Sequence, residues 1–480
     1  VTRRHKTTAE PRRPRPAPAR PSPTLRLLHT PESGVAAAAP IRLHLARTLV
    51  GREVDAADGV FVDDTRASRV HASVHLVARS GRVRIHDEDS RNGTFVNGER
   101  TSEAWLEDGD VVRVADTHLI FRLEPEDAED AVVGGWIGQA PSIRRLRATA
   151  ARLGPHDVTV LLIGESGSGK EVLARALHQA SGRRGEFVAV NCSAIPEQLA
   201  ESQLFGHVAG AFTGARGEQP GFFRAADGGT LLLDEIGEMD VSLQPKLLRA
   251  LEQRAIVPVG AAHPIPCDVR IVAATNRDLL GAVDQGRFRG DLYARLVEFT
   301  PLELPPLRAR REDILLLLRH AYGEDMPPLE PDLVDALLAH GWPYNVRELL
   351  GVGRELRVRG HGQPTLALDL VAHRLQPPAR GDHDAARASA EAAALSPSLA
   401  GVSDRMAGVV ALSASGAGTA PGGPGGARQA PPTRDAFERI LQECRGNVRA
   451  IARATGRSRM QVYRWLEQFG LDLEQYRDKP

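Results

Sequence analysis

The run Val158 to Ile163, the loop Gly164-Glu165-Ser166-Gly167-Ser168-Gly169-Lys170 and the stretch Glu171 to Ala180 constrain this chain more than any other feature. A buried-strand run leads into a Gly-x4-Gly-Lys loop, and a helical pattern follows. The glycines let successive backbone N–H groups point at phosphate oxygens. Lys170 reaches the β- and γ-phosphates, and the helix N-terminus adds a favourable dipole. Such a unit predicts an α/β nucleotide-binding domain. At position 171 stands Glu, where many such loops carry a Ser or Thr for Mg²⁺. That shifts metal binding towards Asp234 and water.

Two further features follow. Leu231-Leu232-Leu233 ends in Asp234-Glu235, so Asp234 at a strand's carboxyl edge can hold the Mg²⁺ shell while Glu235 orients or deprotonates a water. Between the loop and this strand lies Gly210-Ala211-Phe212-Thr213-Gly214-Ala215. It is too apolar for an ordinary solvent loop and too rich in glycine for a helix or strand interior. It reads as an insertion within an ATPase core.

The 480 residues suggest about three domains. Residues 1–40, rich in Pro, Arg and Ala and without a signal-peptide core, read as a disordered basic arm. Residues 41–125 alternate apolar and polar in short runs such as Val60-Phe61-Val62, Ala72 to Val77 and Leu119 to Leu123, with Asn92-Gly93 and Asn97-Gly98 as turns: an all-β sandwich. Residues 134–376 alternate strands and helices, as an α/β core over 134–305 and a helical lid over 306–376. Residues 377–432, dominated by Ala, Gly, Ser and Pro, read as a flexible linker with a span of roughly 40 Å.

Residues 433–480 are periodic again. Asn447 and Ser458 are helix caps, and Val462, Trp465, Leu466 and Phe469 form an inward stripe, leaving Arg459, Gln461, Tyr463 and Arg464 to meet DNA. Basic and acidic residues balance at 61 each, so any nucleic-acid surface must be local. Three cysteines lie far apart without metal-ligand spacing, which fits a reduced, cytoplasmic setting. No apolar run is long enough to span a bilayer, so no membrane partner is expected.

With these motifs in order, residues 134–376 resemble the AAA+ domain of sigma-54-dependent transcription activators, the bacterial enhancer-binding proteins. The resemblance extends to Val190-Asn191-Cys192, Ala274-Thr275-Asn276, Phe288 to Arg295 and Trp342 to Leu349. It implies that Asn191 restrains the catalytic Glu235, that Thr275 and Asn276 form the first sensor, and that Arg347 is the second sensor on the lid. Arg289 and Arg295 resemble arginine fingers that reach a neighbouring subunit's γ-phosphate, which implies a ring, by family a hexamer. The hexapeptide resembles the sigma-54 contact loop. Tyr344 and Gly351 depart from the family's usual Gly and Asn.

The C-terminal segment resembles a Fis-type helix-turn-helix. Gly51-Arg52, Ser68-Arg69-Val70-His71 and Ser90 to Gly98 resemble a forkhead-associated (FHA) domain. There Arg52, Ser68 and Arg69 would meet phosphothreonine and Asn92 the peptide backbone, with His71 a structural loop residue. The resemblance implies a cytoplasmic ATPase using ATP and Mg²⁺, with sigma-54 RNA polymerase holoenzyme, upstream activating DNA and a phosphothreonine protein as partners. The alternatives are a DNA-bound, phosphoprotein-binding repressor that uses ATP only for assembly, and a AAA+ chaperone.

Overall fold

The computed structural model describes residues 21–375, except 37, 44, 56–58, 78–79, 125–135, 213–214 and 216, together with 437, 438, 441 and 471. Among these, no helix is long and apolar enough to cross a membrane.

Residues 22–124 form a β-sandwich of one seven-stranded and one five-stranded sheet. The alternation in the sequence is realised as two inner faces, with Leu25, Val50, Val60, Val74, Ile85, Val112, Leu119 and Phe121 in one core. Asn97 (φ 49°) and Gly98 (φ 83°) both take the positive φ that a two-residue hairpin turn needs, and they join Thr94–Val96 to Glu99–Thr101.

One expectation is corrected. The strand Ser22–Thr30 lies inside the expected disordered arm, yet it pairs antiparallel with Thr117–Glu124, from Ser22 opposite Glu124 to Leu27 opposite Leu119. Its Leu25 and Leu28 are buried. The Pro- and Arg-rich flank masks this short apolar run when composition is averaged over 1–40. The sandwich therefore begins at Ser22, not at residue 41.

The α/β domain carries five parallel strands in the spatial order Phe187–Asn191, Thr230–Asp234, Arg270–Thr275, Val160–Ile163, Leu302–Glu303. Near-continuous apolar strands are what a parallel sheet covered on both faces requires. Pro141–Leu153 and Lys170–Ser181 cover one face, through Ile143, Leu173 and Leu177. On the other, Leu204, Phe223, Leu247 and Leu292 come from four further helices.

The lid follows. Ile314–Tyr322, Pro331–Ala339 and Asn345–Arg359 are helices packed around Trp342, whose indole N–H donates to the Leu337 carbonyl at 3.0 Å. Leu28, Val35, Val111 and Ile120 of the sandwich belong to this same apolar cluster. The sandwich and lid thus share a core.

Phe437, Glu438 and Leu441 are helical and lie within the periodic segment 433–480. Arg459, Gln461, Tyr463 and Arg464, the arm 1–20 and the linker 377–432 lie outside the described residues.

Candidate active site

The strand order decides where the chemistry gathers. The Gly-rich loop leaves the carboxyl end of Val160–Ile163, next to the strand ending in Thr275. Asn191 and Asp234 stand opposite each other at the same edge. Ligands of open α/β sheets bind outside this edge.

Gly167 (φ 75°) and Gly169 (φ 108°) give the loop its curl. At Gly167 the glycine is also sterically required, since a Cβ there would lie 2.3 Å from the Tyr344 carbonyl oxygen. The lid grips the loop at this point. The Val346 N–H donates to the Gly167 carbonyl at 3.0 Å, and Arg347 Nη1 donates to Ser166 Oγ at 3.1 Å. Asn345 Nδ2 donates to Glu165 Oε2 and the Ser166 carbonyl, both at 3.0 Å. Arg308 clamps Glu165 with two bonds of 2.9 and 2.6 Å, and this holds the Glu165 carboxyl below its usual range against the opposing effect of burial. The Glu165 side chain is therefore a lid ligand, with only its backbone in the phosphate cradle.

Lys170 Nζ donates to the Gly164 and Glu165 carbonyls at 2.9 and 3.4 Å and lies 3.7 Å from Glu235 Oε1. Glu235 takes a left-handed backbone (φ 51°), uncommon for a non-glycine residue and a form in which sites store strain. Its Oε2 accepts the Asn276 N–H at 3.3 Å, and its own N–H donates to Asp234 Oδ1 at 3.0 Å. Burial pushes the Asp234 carboxyl up, Lys170 opposes, and Glu235 adds to the rise. A cation arriving here would relieve that stress. Among the described residues no group of three or more His, Cys, Asp or Glu could hold a metal by itself. Mg²⁺ thus fits only when nucleotide phosphates and water complete the shell around Asp234.

The remaining candidates divide. Thr275 is buried beside the loop, its Oγ1 accepting the Arg277 N–H at 3.0 Å. The Glu171 side chain turns outward to Arg175 at 2.8 Å. Asn191 Oδ1 accepts from Ser193 N and Oγ at 2.9 and 2.8 Å, capping the turn Cys192–Ala194. Among the described contacts none joins Asn191 to Glu235. Burial pushes the neighbouring Cys192 thiol up to about 12, with Asp234 adding to it, so it is inert as a nucleophile. Arg289 pairs with Asp291 at 2.7 Å, and Arg295 with Glu298 at 2.9 Å. Neither has a described contact with the Gly-rich loop.

The hexapeptide rises between the helices Glu197–Phe205 and Gly221–Ala225. Its ends are tied by the Gly210 N–H on the Ala215 carbonyl at 2.9 Å, and the Ala211 N–H donates to the Val208 carbonyl at 3.2 Å. Phe212 is 41 % exposed, with its ring 5.0 Å from that of His207. Thr213 and Gly214 lie outside the described residues.

On the sandwich, Arg52, Ser68, Arg69 and Asn92 line one open groove of about 1040 Å³. The Arg52 N–H donates to the Ser68 carbonyl at 3.2 Å, and Asn92 Nδ2 to the Arg66 carbonyl at 2.6 Å. His71 is fully buried beneath it, taking the Ser68 N–H on Nδ1 and facing the Gly93 carbonyl through Nε2, both at 3.1 Å. Burial lowers its pKa, so the ring is neutral and structural.

Comparison with known families matches residues 136–301 to the sigma-54 interaction domain and 48–115 to the FHA domain. This chain carries a sigma-54 interaction domain joined to an FHA domain. Over 240 residues it is 51 % identical to the response regulator protein FleR of Pseudomonas aeruginosa, covering 48 % of this chain and 50 % of that protein. Over 250 residues it is 46 % identical to the DNA-binding transcriptional regulator NtrC of a Bradyrhizobium strain, covering 51 % of this chain and 52 % of that one. The chain spans about half the length of these relatives. A crystal structure of NtrX from Brucella abortus in complex with ADP aligns over 70 % of both chains, at 27 % identity and a TM-score of 0.47.

Sequence reasoning missed the residues that bind the sigma-54 interaction domain's Gly-rich loop to its lid: Arg308, Arg310 and Asn345. The Asn345 side chain is fully engaged, its Oδ1 also accepting the Leu307 N–H at 2.7 Å. Its buried amide in a left-handed backbone (φ 53°) fits a residue type that tolerates that conformation. Nothing in local sequence marks the contacts to the loop, because each of them joins segments more than a hundred residues apart, such as 143 for Arg308 to Glu165.

Proposed function

We propose that the chain is a sigma-54-dependent transcription activator whose AAA+ domain hydrolyses ATP to ADP and phosphate and spends that energy remodelling the closed promoter complex of sigma-54 RNA polymerase. In this reading Gly164 to Lys170 cradle the phosphates, while Thr275, Asn276 and Arg347 sense nucleotide. Asp234 holds Mg²⁺ with ATP, and that ion would neutralise charge on the phosphate oxygens. Glu235 takes a proton from the attacking water. Arg289, which pairs with Asp291, and Arg295, which is held by Glu298 and the Leu251 carbonyl, serve a neighbouring subunit's site in a hexamer. Gly210 to Ala215 touch the sigma factor. The FHA groove takes a phosphothreonine peptide, and the C-terminal segment binds upstream DNA through Arg459, Gln461, Tyr463 and Arg464. The setting is the cytoplasm.

One observation carries this reading. In a domain of sigma-54 interaction type, Glu235 lies against Lys170 of the phosphate loop while Phe212 stands exposed on a separate, end-tied insertion. This arrangement supports a motor and a contact loop on distinct surfaces of one domain.

In vitro transcription with sigma-54 polymerase is the test, run with and without ATP on wild type and Thr213→Ala. Wild type should activate only with ATP, and Thr213→Ala should hydrolyse ATP without activating. If Thr213→Ala loses hydrolysis and activation in proportion, the insertion belongs to the motor and the assignment fails.

A further inference from the structure

The FHA domain does more than share an apolar core with the lid. Arg122, on its last strand, reaches the start of the lid and clamps Glu312 with Nε to Oε1 at 3.0 Å and Nη2 to Oε2 at 2.5 Å. The same guanidinium donates to the Ala309 carbonyl at 3.2 Å and to Asp108 at 3.2 Å. Side-chain exposure is 7 % for Arg122 and 0 % for Glu312, so the pair is screened from water. Burial works against the charge on Arg122, but Glu312 and Asp108 outweigh it and raise its pKa.

Two residues before Glu312, Arg310 extends the other way. It is 1 % exposed, and its Nη2 donates to the Ser168 carbonyl, inside the phosphate loop, at 2.6 Å. That is the one hydrogen bond of this guanidinium among the described contacts, and its Nε has no partner. For a buried cation this is one direct bond, to a neutral carbonyl, with Asp313 and Glu312 supporting its charge only at longer range. The nearby acids are only partly engaged, since Asp313 Oδ2 has no hydrogen-bond partner and supports the Arg310 charge at longer range. Asp313 Oδ1 accepts the backbone N–H groups of Gln139 and Ala140 at 2.5 and 2.9 Å, and Glu312 is held by Arg122. Arg308 meanwhile fixes Glu165 from the same segment.

We propose that Arg122 of the FHA domain is a positioning residue for nucleotide binding: by claiming Glu312, it leaves Arg310 to hold the Ser168 carbonyl and so shape the phosphate loop. Were Arg122 withdrawn, Glu312 would be a buried carboxylate two residues from a cation with one direct bond, and an ion pair there outcompetes a bond to a neutral carbonyl. Arg310 would swing to Glu312, the loop would lose its inner tether, and nucleotide would bind less tightly. Docking of the FHA domain and affinity for nucleotide are then coupled, each favouring the other.

This rests on the proposed nucleotide site, and the experiment separates the two. Titration of a fluorescent ADP analogue into the full chain, with Lys170→Ala as control, tests the site itself. Wild type that fails to bind, or Lys170→Ala that binds equally, removes the reading beneath this inference. Given binding, two substitutions break the same clamp with opposite consequences. Arg122→Met strands the Glu312 charge and should weaken ADP binding about tenfold, a change of roughly 1.4 kcal/mol. Glu312→Gln removes the charge that would attract Arg310 and should stay within twofold of wild type. A merely structural seam would give both the same loss. Equal losses, or wild-type affinity in a folded Arg122→Met, overturn the proposal. Where circular dichroism shows Arg122→Met unfolded, Arg122→Lys replaces it, with about threefold weakening expected and wild-type affinity again overturning the claim.

Discussion

The nucleotide face and the seam between sandwich and lid are both dense in charge, but they spend it differently. On the nucleotide face, Lys170 rests on two carbonyls at 2.9 and 3.4 Å, and Asp234 carries a carboxyl that burial pushes up. Lys170 also stands 3.7 Å from Glu235, so opposite charges approach there without a close hydrogen-bonded pair. At the seam, opposite charges meet in pairs, Arg122 on Glu312 and Arg113 on Asp335 at 3.1 Å, and His118 also reaches Asp335 at 2.9 Å. One face keeps its opposite charges at longer range, and the other pairs them directly.

The largest expected effect tests the first half of that contrast. Glu235→Gln should cut ATP turnover on the order of 1000-fold while leaving nucleotide bound, because it removes the base and keeps the shape. Turnover near that of wild type would show that Glu235 is only a structural carboxylate.

The second half predicts a pH effect. His29, buried in the sandwich beside the seam, has its pKa lowered to about 4 from 6.5 by burial and by the neighbouring His118, whose ring centroid is 6.0 Å away. The folded state therefore prefers the neutral ring. The unfolded chain binds the extra proton between pH 6.5 and 4, so stability is full above that window and falls as pH drops through it. The loss is on the order of 3 kcal/mol. Thermal melts from pH 7 to 4 should show it, and His29→Leu should flatten the dependence. Unchanged pH dependence in the variant would place the sensitivity elsewhere.

Next comes the groove of the FHA domain lined by Arg52, Ser68, Arg69 and Asn92. Arg52→Ala should weaken binding of a phosphothreonine peptide roughly 10-fold or more, the worth of a charge-assisted bond to phosphate. Calorimetry with phosphorylated and unmodified peptides decides this. Indifference to phosphorylation would leave the groove without its proposed ligand.

The smallest effect concerns Tyr344. It sits at φ −107° with its ring exposed, and the backbone there contacts the Gly-rich loop. Tyr344→Gly should change hydrolysis less than twofold and cost below about 1 kcal/mol of stability. A tenfold loss of turnover would give the ring a part in the lid that its exposure argues against.

Local strings carried the parts of the molecule that are built locally. The Gly-rich loop, the strand ending in Asp234-Glu235 and the Asn97-Gly98 turn depend on backbone conformations that particular residue types permit, so one stretch of sequence is enough to see them. Ser22–Thr30 escaped because a strand's worth lies in its partner, and Thr117–Glu124 is far away along the chain. Asn191 lies beside Asp234 as the strand order requires, yet its side chain caps the next turn, a choice made by local competition for its amide.

What the sequence determined by itself is the kind of domains present, since apolar periodicity and glycine-bound loops are short-range properties. The tertiary structure alone decided that the sandwich packs into the lid's core and that Arg122 meets Glu312 across 190 residues. The physical reason is that a buried charge can be tolerated only where an opposite one is brought to it, and which two meet is fixed by packing, not by proximity along the chain.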